Sequence, residues 1–124
     1  MLAASSFLIR ITMMSDYTPD AWHIIKIAGY KDSEGPVYKV LAGWYGGYAG
    51  SDSWKLNSGI IKITDQGEYY DVDGYSGSTY RCFKGVERFS GLMSQMFNYW
   101  QSNNDSGLTL EAVSMEETLK QFKE

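Results

Sequence analysis

The feature that most constrains this chain is a block of aromatic residues and glycines at residues 38–61, part of which returns further along. The two related segments read GYAGSDSWK at residues 47–55 and GYSGSTYR at residues 74–81. Glycine adopts a positive φ without a side-chain penalty, and an aromatic residue followed by a base is typical of the start of a strand. The echo therefore predicts two similar turns that each lead into a strand.

Short stretches rich in β-branched and aromatic residues predict strands along most of the chain. They lie at residues 22–27, 37–45, 54–56 with a continuation at 60–63, 68–73, 80–84 and 108–113. Residues 57–59 predict a bend, and residues 65–67 predict a hairpin turn in which glycine takes the positive φ. Because the connections are short, an antiparallel meander is expected.

The hydrophobic period changes from that of a strand to that of a helix near residue 88. One continuous helical stripe is formed by Phe89, Leu92, Met93, Met96, Phe97 and Trp100. The stripe is interpreted as core packing over the sheet rather than as a partner-binding surface. On that interpretation, Trp100→Ala is expected to lower the free energy of unfolding by about 3–5 kcal/mol. Ser114 and Glu117 have the spacing of a capping box, which predicts a final short helix.

Strands followed by helices predict an α+β fold. We expect an antiparallel sheet or a small partly open barrel of five to six short strands. One amphipathic helix at about residues 88–102 should pack on it, followed by the short C-terminal helix.

A chain of 124 residues forms one domain, which is assigned to residues 17–124. Residues 1–16 are expected to be a loose N-terminal extension, with a short strand at residues 7–11 as the alternative. Their apolar part is too short to span a bilayer, so no membrane partner is predicted. A net charge of −4 without a run of bases gives no electrostatic footprint for nucleic acid.

Two groups of residues resemble metal or nucleophilic sites. The segment that begins at Asp71 opens like a calcium loop, but Ser76 and Cys82 stand where such a loop needs glycine and a bidentate acid. His23 is the only histidine and Cys82 the only cysteine, without ligand spacing for zinc. Neither a metal site nor a cofactor site is predicted.

A cluster of carboxylates surrounds one predicted hairpin. Strand periodicity predicts a solvent-facing position for Asp71 and Asp73, and the cluster resembles a solvated acidic edge rather than a pair of catalytic acids. The cluster consists of Asp65, Glu68, Asp71 and Asp73, with Lys62 and Lys84 beside it. No catalytic residue is predicted, and the chain is expected not to be an enzyme. A small hydrolase that uses these acids, or His23 with Cys82, is the third hypothesis for the function.

An aromatic recognition surface is the leading candidate for a site, because Tyr and Trp are frequent anchors of protein interfaces. Its candidate residues are Trp44, Tyr45, Tyr48, Trp54 and Tyr75. Trp44 and Trp54 have core packing as their alternative role. Binding of a host or phage protein is the first hypothesis for the function. Tyr48→Ala is expected to weaken that binding with little loss of stability.

Binding of single-stranded nucleic acid on a sheet surface is the second hypothesis. Three of the aromatic residues would stack on nucleobases, and three basic side chains would contact phosphates. These residues are Tyr45, Tyr48 and Trp54, with Lys39, Lys55 and Arg81. The net acidity of the chain argues against this hypothesis.

Three motifs resemble small proteins encoded by tailed bacteriophages and prophages. The motifs are YKVLAGWYGG at residues 38–47, SWKLNSGI at residues 53–60 and SGSTYRC at residues 76–82, and the similarity extends over about residues 22–83. Those proteins usually carry His or Lys after the cysteine, where this chain has Phe83. The resemblance implies a phage-encoded accessory protein in the cytoplasm of an infected bacterium. It implies no activity and no catalytic residues.

Overall fold

The computed structural model describes residues 15–29, 35–47, 50–104 and 107–122, and within them the fold is α+β. The strands are β1 (Ala21–Ala28), β2 (Val37–Trp44), β3 (Ser53–Leu56), β4 (Ile60–Asp65), β5 (Tyr69–Gly74), β6 (Thr79–Phe83) and β7 (Thr109–Val113). The helices are α1 (Gly91–Ser102) and α2 (Met115–Leu119), with a 3-10 turn at Lys84–Val86. The predicted α+β class is confirmed.

All strand pairs within the two sheets of the described chain are antiparallel. The first sheet has the order β3-β2-β1-β7, and the second has the order β4-β5-β6. The division occurs at the predicted bend, where Asn57 still pairs with β2 through its amide and the chain then leaves for the second sheet. The Asn57 side chain also accepts hydrogen bonds from the amides of Val40 and Gly59, at 2.8 and 3.3 Å.

The repeated glycine segment makes the same two backbone hydrogen bonds in both copies, in agreement with the two similar turns that the echo predicts. In the first turn the Gly47 amide donates to the Ser51 carbonyl and the Gly50 amide donates to the Gly47 carbonyl, at 2.7 and 2.8 Å. The equivalent bonds of the second turn, 27 residues later, are both 3.0 Å. Gly50 and Gly77, the fourth residues of the two segments, have φ of 76° and 97°, which glycine adopts without strain.

The first sheet is buried on both faces, because alternate residues of β1 point to opposite sides. Trp22 and Ile24 lie in the core between the two sheets, together with Val72 of the second sheet. Ala21, Ile25 and Ile27 lie in a second core under α1. The fold therefore has three layers: the helix, the four-stranded sheet and the three-stranded sheet.

Helix α1 covers the face predicted for it and begins at Gly91 after the N-cap residue Ser90. The Ser90 hydroxyl accepts from the Met93 amide, and the Met93 sulfur accepts from the Ser90 amide. Met93 is fully buried against Gly43, where an added Cβ would come within 2.6 Å of the sulfur. The close approach of the helix to the sheet thus depends on a glycine at position 43.

The C-terminal helix α2 begins where the sequence predicts it. Ser114 caps α2 by accepting from the Glu117 amide at 3.0 Å, which is the first half of the predicted capping box. Phe122, just after α2, packs edge to face on Tyr38 with 5.8 Å between ring centroids. The short helix therefore closes one end of the core between the sheets.

Residues 1–14 of the predicted extension (residues 1–16) lie outside the described residues. The alternative strand at residues 7–11 lies outside them too. Asp16 falls within the predicted extension but is held against β6. Its amide donates to the Thr79 carbonyl, and its carboxylate accepts from the Thr79 amide at 2.8 Å. Tyr17 continues this contact as an isolated parallel bridge to Tyr80.

The burial of α1 changes the expected cost of truncating its apolar residues. Met93 is fully buried, whereas Trp100 is half-buried at the edge of its cluster. We expect Met93→Ala to lower the free energy of unfolding by about 2–5 kcal/mol, and Trp100→Ala by about 1–3 kcal/mol. Urea unfolding followed by far-ultraviolet circular dichroism measures both changes in the free energy of unfolding. A larger loss for Trp100→Ala than for Met93→Ala would contradict this assignment.

Candidate functional site

Of the five aromatic residues predicted to form one surface, the four that the structure describes lie on different elements. Tyr48 lies outside the described residues. Trp44 is half-buried against the core between the sheets, and its indole N–H donates to the Thr18 carbonyl at 3.0 Å. Its ring also meets Tyr17 edge to face. Trp44 therefore packs as a structural residue, which was the alternative role considered for it.

Tyr45 lies in the loop after β2 and is 44% exposed. Two carboxylates fix the backbone there: the Tyr45 amide donates to Asp20, and the Gly46 amide donates to Asp52, both at 2.9 Å. These bonds satisfy amide groups that leave the strand pairing. They hold the Tyr45 ring outside the core.

Trp54 lies on β3, opposite Gly43, on the helix side of the first sheet. It meets Trp100 of α1 edge to face, with 5.2 Å between ring centroids, and is 37% exposed. Edge-to-face pairs of this kind are favourable beyond the area that they bury. Trp54 is thus both a packing partner of the helix and part of the surface.

Tyr75 is the most exposed large hydrophobic residue among those described, at 72%. It lies in the turn between β5 and β6, and its ring packs against Gly59, beside Val37. Val37 begins β2 and Trp44 ends it, and the strand spans roughly 23 Å at about 3.3 Å per residue. Tyr75 is therefore near the opposite end of β2 from Trp44. With Tyr38 and Phe122 it borders a cleft of about 420 Å³.

The structure places a larger apolar groove at the C-terminal end of α1, beside Trp54. It has a volume of about 520 Å³. Aliphatic side chains from three strands and the ring of Trp100 form its walls, and Tyr99 stands at its rim with 59% exposure. The lining residues are Ile27, Leu56, Tyr99, Trp100, Asn103, Asn104, Leu108 and Leu110. We call these residues, together with Trp54, the groove surface.

The polar groups at the end of the groove surface are already paired within the chain. The Gln101 side chain donates to the Leu110 carbonyl at 2.9 Å, and the Asn104 side chain donates to the Leu108 carbonyl. Carbonyl groups two residues apart on a strand point to the same side. The side chains of Gln101 and Asn104 thus satisfy two carbonyl groups at the start of β7, and the apolar walls remain the main feature of the groove.

Sequence reasoning missed the groove surface except for Trp54. A signal for it exists, because residues 89–104 contain no charged residue in a chain that is 21% charged. Depletion of charge with enrichment in aromatic residues and Met distinguishes the centre of protein interfaces from other surface. The apolar stripe of α1 was interpreted as core alone, which hid this second property.

The residues considered for catalysis are kept apart by the fold. His23 faces the helix side of the first sheet, where it stacks on Phe89 with 4.8 Å between ring centroids. Cys82 is fully buried between the two sheets, on the other side of β1. Burial raises the pKa of the Cys82 thiol well above its ordinary value, which favours the unreactive protonated form. The two side chains form no catalytic pair.

The predicted exposure of the hairpin carboxylates is wrong for Asp71, which is 6% exposed. It faces away from the core but is covered by Arg81, whose guanidinium lies 3.2 Å from the carboxylate and over the Tyr69 ring. Asp73 is half-buried and accepts from the Thr79 hydroxyl at 2.6 Å. Strand alternation gives the direction of a side chain but not the cover that long neighbours provide, and the prediction failed for that reason.

Asp65 has the solvated, ion-paired setting that was predicted for the hairpin. Lys84 lies 2.9 Å from its carboxylate. The hydrogen bonds from Lys84 and from the Gly67 amide lower the pKa of Asp65. Among the described residues, no group of three or more His, Cys, Asp or Glu side chains is placed to hold a metal ion.

Comparison of the chain with protein-family models, with curated proteins and with solved structures finds no match. None of the helices in the described ranges has the length and apolar character needed to cross a membrane. The groove surface must therefore be interpreted from its own chemistry.

The buried phenol of Tyr80 makes stability depend on pH in alkali. Burial, and then the neighbouring Tyr17 and Cys82, raise the pKa of Tyr80 from 10.0 to about 12. Because the folded state holds this proton more tightly, the stabilisation is complete below pH 10.0 and is lost as the pH rises through about 12. We expect the urea midpoint to fall over this range, and to fall less in Tyr80→Phe. An equally steep fall in both proteins would contradict the assignment.

Proposed function

We propose that this chain is a non-enzymatic binding protein that engages a protein partner through the groove surface. The observation that carries the proposal is an apolar groove of about 520 Å³ at the end of a helix without charges. Tyr99 stands exposed at its rim, and the partly exposed Trp54 packs on Trp100 of its wall. Buried aromatic anchors set in an apolar pocket contribute most of the affinity at protein interfaces. Trp54 is the one residue of the aromatic surface predicted from sequence that belongs to the groove surface. The groove adds an apolar pocket beside it.

The context of the proposal is the resemblance to phage-encoded proteins. In that context the chain is an accessory protein in the cytoplasm of an infected bacterium, and its partner is a host or phage protein. The groove itself favours a partner that offers apolar side chains, since its walls are aliphatic and its rim carries neutral amides rather than charges.

Affinity purification from infected cells tests the proposal. Tagged wild-type protein should recover a stoichiometric protein partner, and Trp54→Ala or Tyr99→Ala should lower the affinity by roughly tenfold or more, as expected when a central aromatic anchor is removed. Tyr99 is mostly exposed, so Tyr99→Ala should change the melting temperature little, whereas Trp54→Ala also removes the ring contact with Trp100 and should lower it moderately. Tyr75→Ala is the matched control, because it removes an exposed aromatic residue that lies in the turn between β5 and β6 and does not line the groove.

Two results would contradict the proposed function. One is recovery of general chaperones and ribosomal proteins without a stoichiometric partner. The other is a partner whose binding is weakened by Tyr75→Ala as much as by Trp54→Ala.

Single-stranded nucleic acid binding on a sheet surface is the alternative function. Three of the residues first considered for it do not share a surface: Lys55 lies over the Tyr17 ring, Arg81 pairs with Asp71 on the second sheet, and Trp54 faces the helix. One observation favours the alternative, namely that the rings of Tyr69 and Phe83 lie together on the outer face of the second sheet, 5.1 Å apart. Asp71 and Asp73 on the same face oppose it.

Salt dependence separates the two functions. If the second sheet binds nucleic acid, homopolymer affinity should fall steeply as salt rises, since phosphate contacts release counterions. The Phe83→Ala variant should then lose stacking. Fluorescence anisotropy with labelled oligonucleotides at low salt measures this binding. We expect no binding at low salt, and salt-sensitive binding that depends on Phe83 would overturn the assignment to protein partners.

A further inference from the structure

Among the described strand residues, the helix side of the first sheet carries one charged side chain, that of Lys39. In the antiparallel register Lys39 pairs with Ile25, which lies in the core under α1. Paired residues of neighbouring strands point to the same face of a sheet, so Lys39 points to the helix side as well. The other strand residues on this side are apolar apart from His23, and α1 contains no charged residue. Lys39 therefore places an isolated positive charge on an apolar face.

Lys39 lies next to the groove surface. The sheet register pairs Leu41 with Leu56 of β3, and it pairs Val37 with Ile27 of β1. Lys39 stands between Val37 and Leu41 on this face of β2, so it is a diagonal neighbour of both Leu56 and Ile27. Those two residues line the groove. Diagonal neighbours on one face are about 7–8 Å apart, which is within the reach of a long side chain.

None of the ion pairs within the described residues includes Lys39. They join Arg81 to Asp71 and Lys84 to Asp65, at the second sheet. Lys39 itself is half-buried. A lysine in such a setting packs its aliphatic stem on the apolar surface and keeps its ammonium group in water. The open groove therefore accommodates the charge because water solvates it.

Closure of the groove by a protein partner removes this water from the Lys39 ammonium group. An apolar surface laid over the ammonium would leave a charge without solvent or counter-charge, which is strongly unfavourable. A basic side chain of the partner would add repulsion. A carboxylate beside the apolar side chains of the partner replaces the water and forms a charge-assisted hydrogen bond. The charge at Lys39 thus distinguishes between partners that are equally apolar.

We propose that the groove surface binds a segment of a partner protein in which apolar side chains stand next to an Asp or Glu residue, and that Lys39 pairs with this carboxylate. The inference rests on the proposed function, because it specifies the partner of the same surface. The chain as a whole has a net charge of −4 and repels acidic segments elsewhere. Lys39 therefore determines specificity: the apolar walls supply affinity, and the ammonium decides which apolar segments bind.

A library of random peptides displayed on yeast, selected on the immobilised full chain, tests the inference. Peptides selected on the wild-type protein should be rich in Asp or Glu next to Leu, Phe or Trp. For such a peptide in synthetic form, Lys39→Met should raise the dissociation constant about tenfold and Lys39→Glu about a hundredfold. Lys55→Glu is the matched control, because it makes the same charge change on the opposite face of the sheet, where Lys55 lies over the Tyr17 ring. It should leave the dissociation constant nearly unchanged.

An exchange of charges guards against misfolding. The synthetic peptide with its acid replaced by Lys should bind Lys39→Glu more tightly than it binds the wild type, which a misfolded variant could not do. Tyr99→Ala should weaken binding of the acidic peptide to an otherwise unchanged chain, since Tyr99 stands at the rim of the groove.

The possible failures separate the inference from the proposed function. Selected peptides that depend on Tyr99 but have no acidic preference, or that bind Lys39→Glu as tightly as the wild type, would overturn the inference and leave the proposed function in place. A loss in Lys55→Glu as large as that in Lys39→Glu would do the same. If no selected peptide depends on Tyr99, the inference fails together with the proposed function.

Discussion

Trp22 holds the three layers of this fold together, because it bonds to both ends of the segment that links the second sheet to α1. Its ring is fully buried between the two sheets, and its indole N–H donates to the Phe83 carbonyl at 2.7 Å. Its own carbonyl accepts from the Arg88 amide at 2.9 Å, just before the chain enters α1. One residue of β1 thus fixes the end of the second sheet and the approach to the helix. A buried donor left without its acceptor costs about 1–3 kcal/mol, so the bond to Phe83 constrains how the sheets can pack.

The repeated glycine turn explains why two similar segments have different roles. Each turn closes with a serine, Ser51 or Ser78, that pairs back to the first glycine. Trp54 follows its serine by three residues and Tyr80 follows its serine by two, so the aromatic side chains emerge on opposite sides relative to their turns. Tyr80 is buried at 2% exposure, whereas Trp54 reaches the surface beside Trp100. A single inserted residue therefore separates a core tyrosine from a surface tryptophan.

Local patterns predicted the elements of this fold well, and tertiary contacts decided what they could not predict. The 3.6-residue period identified α1, and the serine at position 114 identified the start of α2, because both signals depend on neighbours in sequence. The separation into two sheets at Asn57 depends on a side chain that bonds to Val40, which no local pattern specifies. The same limit applies to the aromatic residues. Their abundance predicted exposure, but the fold placed Tyr75 and Trp44 at opposite ends of β2.

The helix stripe illustrates how one segment can serve both the core and the surface. A helix packed on a sheet turns about half of its circumference toward the sheet. In α1, Met93 and Phe97 lie on that half. On a solvated helix the remaining half carries charged residues; in α1 it carries amides, small residues, Leu92, Met96 and Tyr99. Solubility favours charge at such positions, so its absence over a whole helix needs a compensating benefit. Burial of that surface by another protein chain supplies such a benefit, and it is the physical reason to place the binding site on α1 rather than on the glycine-rich loop.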